Sequence, residues 1–102
     1  MSGKTVFKLA QPIQAEGKEI TEIELREPTG DDLDALGYPY LVMVGEGEGE
    51  RIELRPKVAG RYISRLAGIP PSAGAKIGLA DRQRLQGVVM GFFGAAGETP
   101  ES

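Results

Sequence analysis

The alternation of apolar and polar residues is clearest between Lys18 and Leu33. Thr21, Ile23 and Leu25 interleave with Glu22, Glu24 and Arg26, the period-two pattern of a strand with one buried and one wet face. Pro28 lacks the amide hydrogen a sheet ladder needs and pushes Glu27 toward extended geometry, so Pro28-Thr29-Gly30 turns the chain out of the sheet. Thr29 is then placed to cap a helix through its hydroxyl. Asp31 and Asp32 follow where negative charge is favoured by the helix dipole, and Leu33 opens the apolar face.

On either side of this stretch the pattern predicts further elements. Val6 to Ala10 reads as a short strand with Phe7 and Leu9 on one face, and Pro12 marks its end or an edge. Ala15-Glu-Gly-Lys18 then supplies a turn, and the two strands form an antiparallel hairpin. The helix after Thr29 ends at Gly37, before Tyr38-Pro39. Tyr40 to Val44 is an apolar run of strand length, and Arg51 to Arg55 alternates Ile52 and Leu54 with charge, which predicts a second hairpin around Gly45 to Glu50. A Gly-Glu repeat has nothing to bury and repels itself, so the alternative is a loosely ordered insertion with a flexible loop at 45–50.

From Lys57 the period lengthens. Val58, Tyr62, Ile63 and Leu66 recur at three- and four-residue steps along one helix face, while Lys57, Arg61 and Arg65 line another. Gly68 ends this helix, Ile69-Pro70-Pro71-Ser72 is a stiff turn, and Ser72 to Ile77 is at most a single helical turn. A last helix opens near Gly78, with Asp81 in its first turn and Leu85, Val88, Val89 and Phe92 on its buried stripe. The pattern therefore predicts an α+β fold in which an N-terminal hairpin, open to extension by a second hairpin, packs with C-terminal helices. One domain is expected over residues 1–94, with a disordered tail at 95–102.

Composition narrows the function. Among 102 residues 40% are apolar, with three Phe, three Tyr and no Trp, so the core is modest and a partner or a homo-oligomer is one way to complete it. There is no Cys and no His, which removes disulfides and thiolate or imidazole chemistry. A net charge of −3 disfavours nucleic acid as a general partner. Met1 to Ile13 shows neither a long apolar run nor a small-residue cleavage site, so no signal peptide and no membrane association are expected.

The candidate chemistry is thin. Gly45-Glu-Gly-Glu-Gly49 alternates glycine with acid, which is wrong for cradling phosphate, and Gly3-Lys4-Thr5 lacks the upstream part of a P-loop. Asp31, Asp32 and Asp34 are of the right type for a hard cation, but helix capping accounts for the first two without a metal. Glu22, Glu24 and Glu27 read as solvated strand charges. No catalytic, cofactor or metal residues are expected. The Lys57, Arg61, Arg65 stripe reads as a solvated helix face, or as a receptor for an acidic partner segment or for the Glu-rich tip of this same protein. Met90 and Phe93 lie beside the buried stripe of the last helix, so the candidate partner-binding residues are Ile69, Met90, Phe92 and Phe93.

Taken together and in order, Gly17-Lys-Glu-Ile-Thr-Glu-Ile-Glu-Leu-Arg-Glu-Pro-Thr-Gly-Asp-Asp-Leu33, then Arg61-Tyr-Ile-Ser-Arg-Leu-Ala-Gly-Ile-Pro-Pro-Ser72, Ile77, Asp81, Leu85, Val88 and Phe92-Phe93 resemble the tail assembly chaperones of contractile-tailed phages and prophages. Gly78 departs from the pattern, standing where that family tends to place a capping Ser. The resemblance implies a non-enzymatic protein of the bacterial host cytoplasm that binds the tape measure protein and keeps it soluble until tail-tube subunits polymerise around it. An alternative is a structural or adaptor protein retained in a particle. The family often makes a longer form by ribosomal frameshifting near the end of the short gene, and the adjacent Phe codons within Gly91-Phe-Phe-Gly94 suit a pyrimidine slip.

Overall fold

A computed structural model describes residues 4–45, 47 and 49–94. The expected tail at 95–102, and Glu46 and Glu48 of the expected loop, lie outside the described residues. The element order is β1 (Thr5–Ala15), β2 (Lys18–Leu25), α1 (Gly30–Leu36), β3 (Tyr40–Gly45), β4 (Gly49–Leu54), α2 (Pro56–Ala67), α3 (Pro71–Gly74) and α4 (Leu79–Phe92). This is the α+β arrangement the pattern predicts. The second hairpin forms, but it makes its own two-stranded sheet and adds no strand to the first.

β1 runs through Pro12, where the pattern had allowed an end. It can do so because β1 is an edge strand and its ladder is interrupted there. Lys8 stands opposite Glu22 and Ile13 opposite Ile20, so Leu9 to Pro12 bulge against Thr21 alone. The bulge turns Leu9 and Ile13 into the core, where they join Ile23 and Leu25 of β2. The hairpin reverses at Glu16 and Gly17, both with positive φ (51° and 78°). Glycine takes that geometry without cost, whereas Glu16 adopts it under mild strain.

The helices close the other side of the core. Val58, Tyr62, Ile63 and Leu66 of α2 are all buried, together with Ala73, Ile77, Leu85 and Val89. The three-four spacing read from the sequence is thus the contact face. Gly68 ends α2 in the left-handed region at φ 70°, the usual glycine stop. The amide of Arg26 donates to the carbonyl of Leu66 at 3.2 Å, tying the end of β2 to the end of α2. Thr29 caps α1 as expected: its side chain accepts from the Asp32 amide, and Asp32 reaches back to the Thr29 amide in a capping box.

β3 and β4 stand apart from this core. Every described residue from Leu41 to Glu53 is exposed. The hairpin is held at its root, where the Arg55 amide donates to the carbonyl of Pro39 at 2.8 Å and Arg55 Nη1 donates to that of Tyr38 at 3.2 Å. Phe93 packs edge-on against Tyr62, Tyr38 and Tyr40, with centroids at 5.3, 6.0 and 6.3 Å.

Candidate functional site

A groove of about 610 Å³ lies between α2, α3 and α4, with Leu36 of α1 at one side. Leu36, Ile63, Ile69, Pro71 and Ala75 make its apolar floor, and Lys57, Arg61, Arg65 and Arg82 bring cations to it. Two glycines shape it. A Cβ on Gly60 would lie 2.3 Å from Nη2 of Arg82, and one on Gly74 would lie 2.2 Å from Oγ of Ser64. Their lack of a side chain is what lets Arg82 fold over α2 and α3 close on Ser64. Arg82 Nη2 donates to the carbonyl of Pro56 at 3.1 Å, while its Nε is buried with no hydrogen-bond partner among the described residues. Lys57 and Arg61 are exposed at the rim. The predicted basic stripe therefore borders a groove while remaining open to solvent.

Arg65, its third member, is engaged elsewhere. Its Nε donates to Asp32 Oδ1 at 2.6 Å, and Arg26 clasps the same carboxylate with Nη1 and Nη2 at 2.7 and 2.9 Å. Asp32 is 1% exposed. The Arg26 guanidinium first, then Arg65 and the amide and hydroxyl of Thr29, hold its carboxyl far below the usual carboxylate range against the cost of burial. Helix capping is thus only part of what Asp32 does; it also joins β2, α1 and α2. Nothing in its local sequence announced the arginine from α2. Nearby, Tyr62 donates its hydroxyl to the carbonyl of Gly37 at 2.8 Å, and burial raises its phenol pKa.

Asp81 is the second buried carboxylate. It accepts the amides of Ala10 at 3.0 Å and Gln11 at 3.1 Å and pairs with Arg84. The Ala10 and Gln11 amides are those that the β1 bulge leaves without a strand partner. The Ala10 amide is the main cause holding the Asp81 carboxyl below its ordinary value. Gly78 caps α4 without a side-chain bond; a Cβ there would meet Oε1 at the end of the exposed Gln11 side chain at 2.7 Å, a contact that side chain can move to relieve.

The sequence-predicted partner residues do not converge. Ile69 is half-buried on the floor of the groove. Met90, Phe92 and Phe93 are half-buried at the end of α4, with Phe92 and Phe93 packed on the core and Phe93 at the root of the β3–β4 hairpin. Asp31 and Asp34 are exposed on α1, away from the Asp32 cluster's buried carboxylate. Val42, Val44 and Ile52, at 52%, 75% and 48% exposure, form an apolar surface on a hairpin whose sequence shows only the strand pattern. Alternation marks a strand but says nothing of whether a second layer covers it. Among the described residues no helix is long and apolar enough to cross a membrane.

No curated protein and no solved structure gave a match to this chain. A family model does match, over residues 6–94, and so spans both hairpins, the groove and the four helices of the described residues. With the order of strands, turns and helices on which the resemblance rested now seen in three dimensions, the chain belongs to the phage tail assembly chaperone proteins, the family described as "E, or 41 or 14".

Proposed function

We propose that this protein is a non-enzymatic chaperone of the tape measure protein, active in the host cytoplasm, and that the α2–α3–α4 groove receives an acidic amphipathic segment of that client. The observation that carries this reading is the groove's build: an apolar floor of Leu36, Ile63 and Ile69 beneath the exposed cations of Lys57 and Arg61, which form no ion pair among the described residues. A helix with an apolar stripe flanked by carboxylates would bury the stripe and meet opposite charge on the rim. Covering such stripes is what keeps a long amphipathic client from aggregating.

Of the four partner residues inferred from sequence, Ile69 contributes to the groove itself. Met90, Phe92 and Phe93 supply a second apolar patch at the end of α4, where the longer frameshifted form would continue the chain. Coexpression with the tape measure protein tests the reading. The client should stay soluble and copurify, Lys57→Glu with Arg61→Glu should release it, and the chaperone should be missing from mature particles. Retention in particles in stoichiometric amount would favour the structural or adaptor role instead.

A further inference from the structure

We infer that the exposed edge of β4 pairs with the β4 edge of a second copy of this chain, joining the two hairpins into one four-stranded antiparallel sheet. The proposal does not depend on which client the groove receives. Its starting point is that β4 pairs with β3 alone among the described residues, so its other side is an open ladder edge.

The hydrogen-bond phase of the hairpin fixes which groups that edge offers. The Arg55 amide bonds to the carbonyl of Pro39. Bonded and non-bonded pairs alternate along an antiparallel ladder. With Tyr40 opposite Leu54, Leu41 opposite Glu53, Val42 opposite Ile52 and Met43 opposite Arg51, the bonded pairs are Leu41–Glu53 and Met43–Arg51. Glu50, Ile52 and Leu54 therefore turn their N–H and C=O groups outward.

A two-fold axis through Ile52 uses these three residues and no others. Ile52 meets its own copy, Glu50 meets Leu54, and all of the outward groups find partners. In this register Arg51 lies directly opposite Glu53 of the second copy, and Glu53 opposite its Arg51. The strand Gly49-Glu-Arg-Ile-Glu-Leu54 is thus complementary in charge to its own reverse. Neither Arg51 nor Glu53 has an ion-pair partner among the described residues of one chain. Opposite charges placed directly across a ladder are favourable and like charges are not.

Burial points the same way. Tyr40, Val42 and Val44 share a face with Leu54 and Ile52, and that face is uncovered from Val42 outward. Two-fold pairing sets the two apolar faces side by side on one sheet. An isolated two-stranded ribbon is marginal in water, whereas more strands stabilise one another. The contact is isologous and closes as a dimer.

Sedimentation velocity from about 5 to about 500 µM, a range suited to a small interface, tests this in the full chain. The wild type should move from monomer toward dimer. Arg51→Glu and Glu53→Arg should each be monomeric, and the double variant, which recreates the opposite pairs in reverse, should dimerise again. Ile52→Pro removes an outward amide and leaves the N–H and C=O groups of the β3–β4 ladder in place, so it should abolish the dimer and keep the far-ultraviolet circular dichroism of the monomer. A wild type that stays monomeric throughout, a dimer indifferent to both charge reversals, or a double variant that fails to recover while the singles remain folded would each overturn the proposal.

Discussion

The carboxylate of Asp81 accepts the amide hydrogen of Ala10 across 71 positions of sequence. This contact makes the first strand and the last helix depend on one another. The bulge at Leu9 to Pro12 frees two amides, and a helix that begins at Leu79 presents a carboxylate to them. An unsatisfied buried amide costs free energy comparable to a lost hydrogen bond, so the bulge and Asp81 belong to one device.

Asp81→Ala should leave these amides open. Hydrogen exchange at Ala10 and Gln11 is expected to accelerate by about tenfold or more relative to the β2 amides, with a lower Tm. Unchanged protection at both positions would show that the bulge holds itself.

Asp32 joins β2, α1 and α2 through Arg26, Thr29 and Arg65. Removing it breaks a partly buried ion-pair cluster and a helix cap together, so Asp32→Ala should cost about 2–4 kcal/mol in urea unfolding. Asp31→Ala, on the exposed side of the same turn, should cost about 0.5 kcal/mol or less.

Both buried carboxylates have folded-state pKa values below the ordinary range. The unfolded chain therefore takes up their protons first as the solution is acidified. Their stabilisation is complete above the unfolded carboxylate pKa of about 4 and is lost progressively as pH falls below it toward the folded values. Stability measured between pH 7 and 2 should drop below about pH 4, and the Asp32→Asn variant should show a shallower fall. A wild-type curve flat down to pH 2 would contradict the geometry.

Gly74→Ala puts a methyl group where Ser64 Oγ lies, which should cost about 1–3 kcal/mol. Adding Ser64→Ala frees that space and should recover most of the loss, read as the Tm of the double variant. Gly60→Ala meets only the end of the flexible Arg82 side chain. It should be nearly neutral for folding but displace Arg82 from the groove and weaken client capture.

Phe93 fills the space among Tyr38, Tyr40 and Tyr62. Phe93→Ala should cost about 1–3 kcal/mol and loosen the root of the β3–β4 hairpin, visible as broadened amide resonances from Tyr40 to Leu54. Met90→Ala should be milder.

Much of this molecule follows from local rules that the sequence alone satisfies. Alternation at Thr21 to Arg26 makes a strand, Thr29 and Asp32 make a capping box, and the three-four spacing from Val58 to Leu66 makes a buried helix face, because each depends on neighbours within a turn or a strand. The family likeness, carried by the order of these local signals, was legible for the same reason. What only the tertiary structure decided are relations between distant segments. Pro12 did not end β1, because the ladder is already interrupted from Leu9 to Pro12, where Asp81 takes up the amides of Ala10 and Gln11. Arg65 left its basic stripe for Asp32, 33 residues earlier. The cations that remained came to line a groove, because α3 and α4 fold back against α2. The second hairpin formed as its alternation required, yet whether another layer would cover it was a matter of where α2 and α4 packed, and they packed on the first hairpin instead.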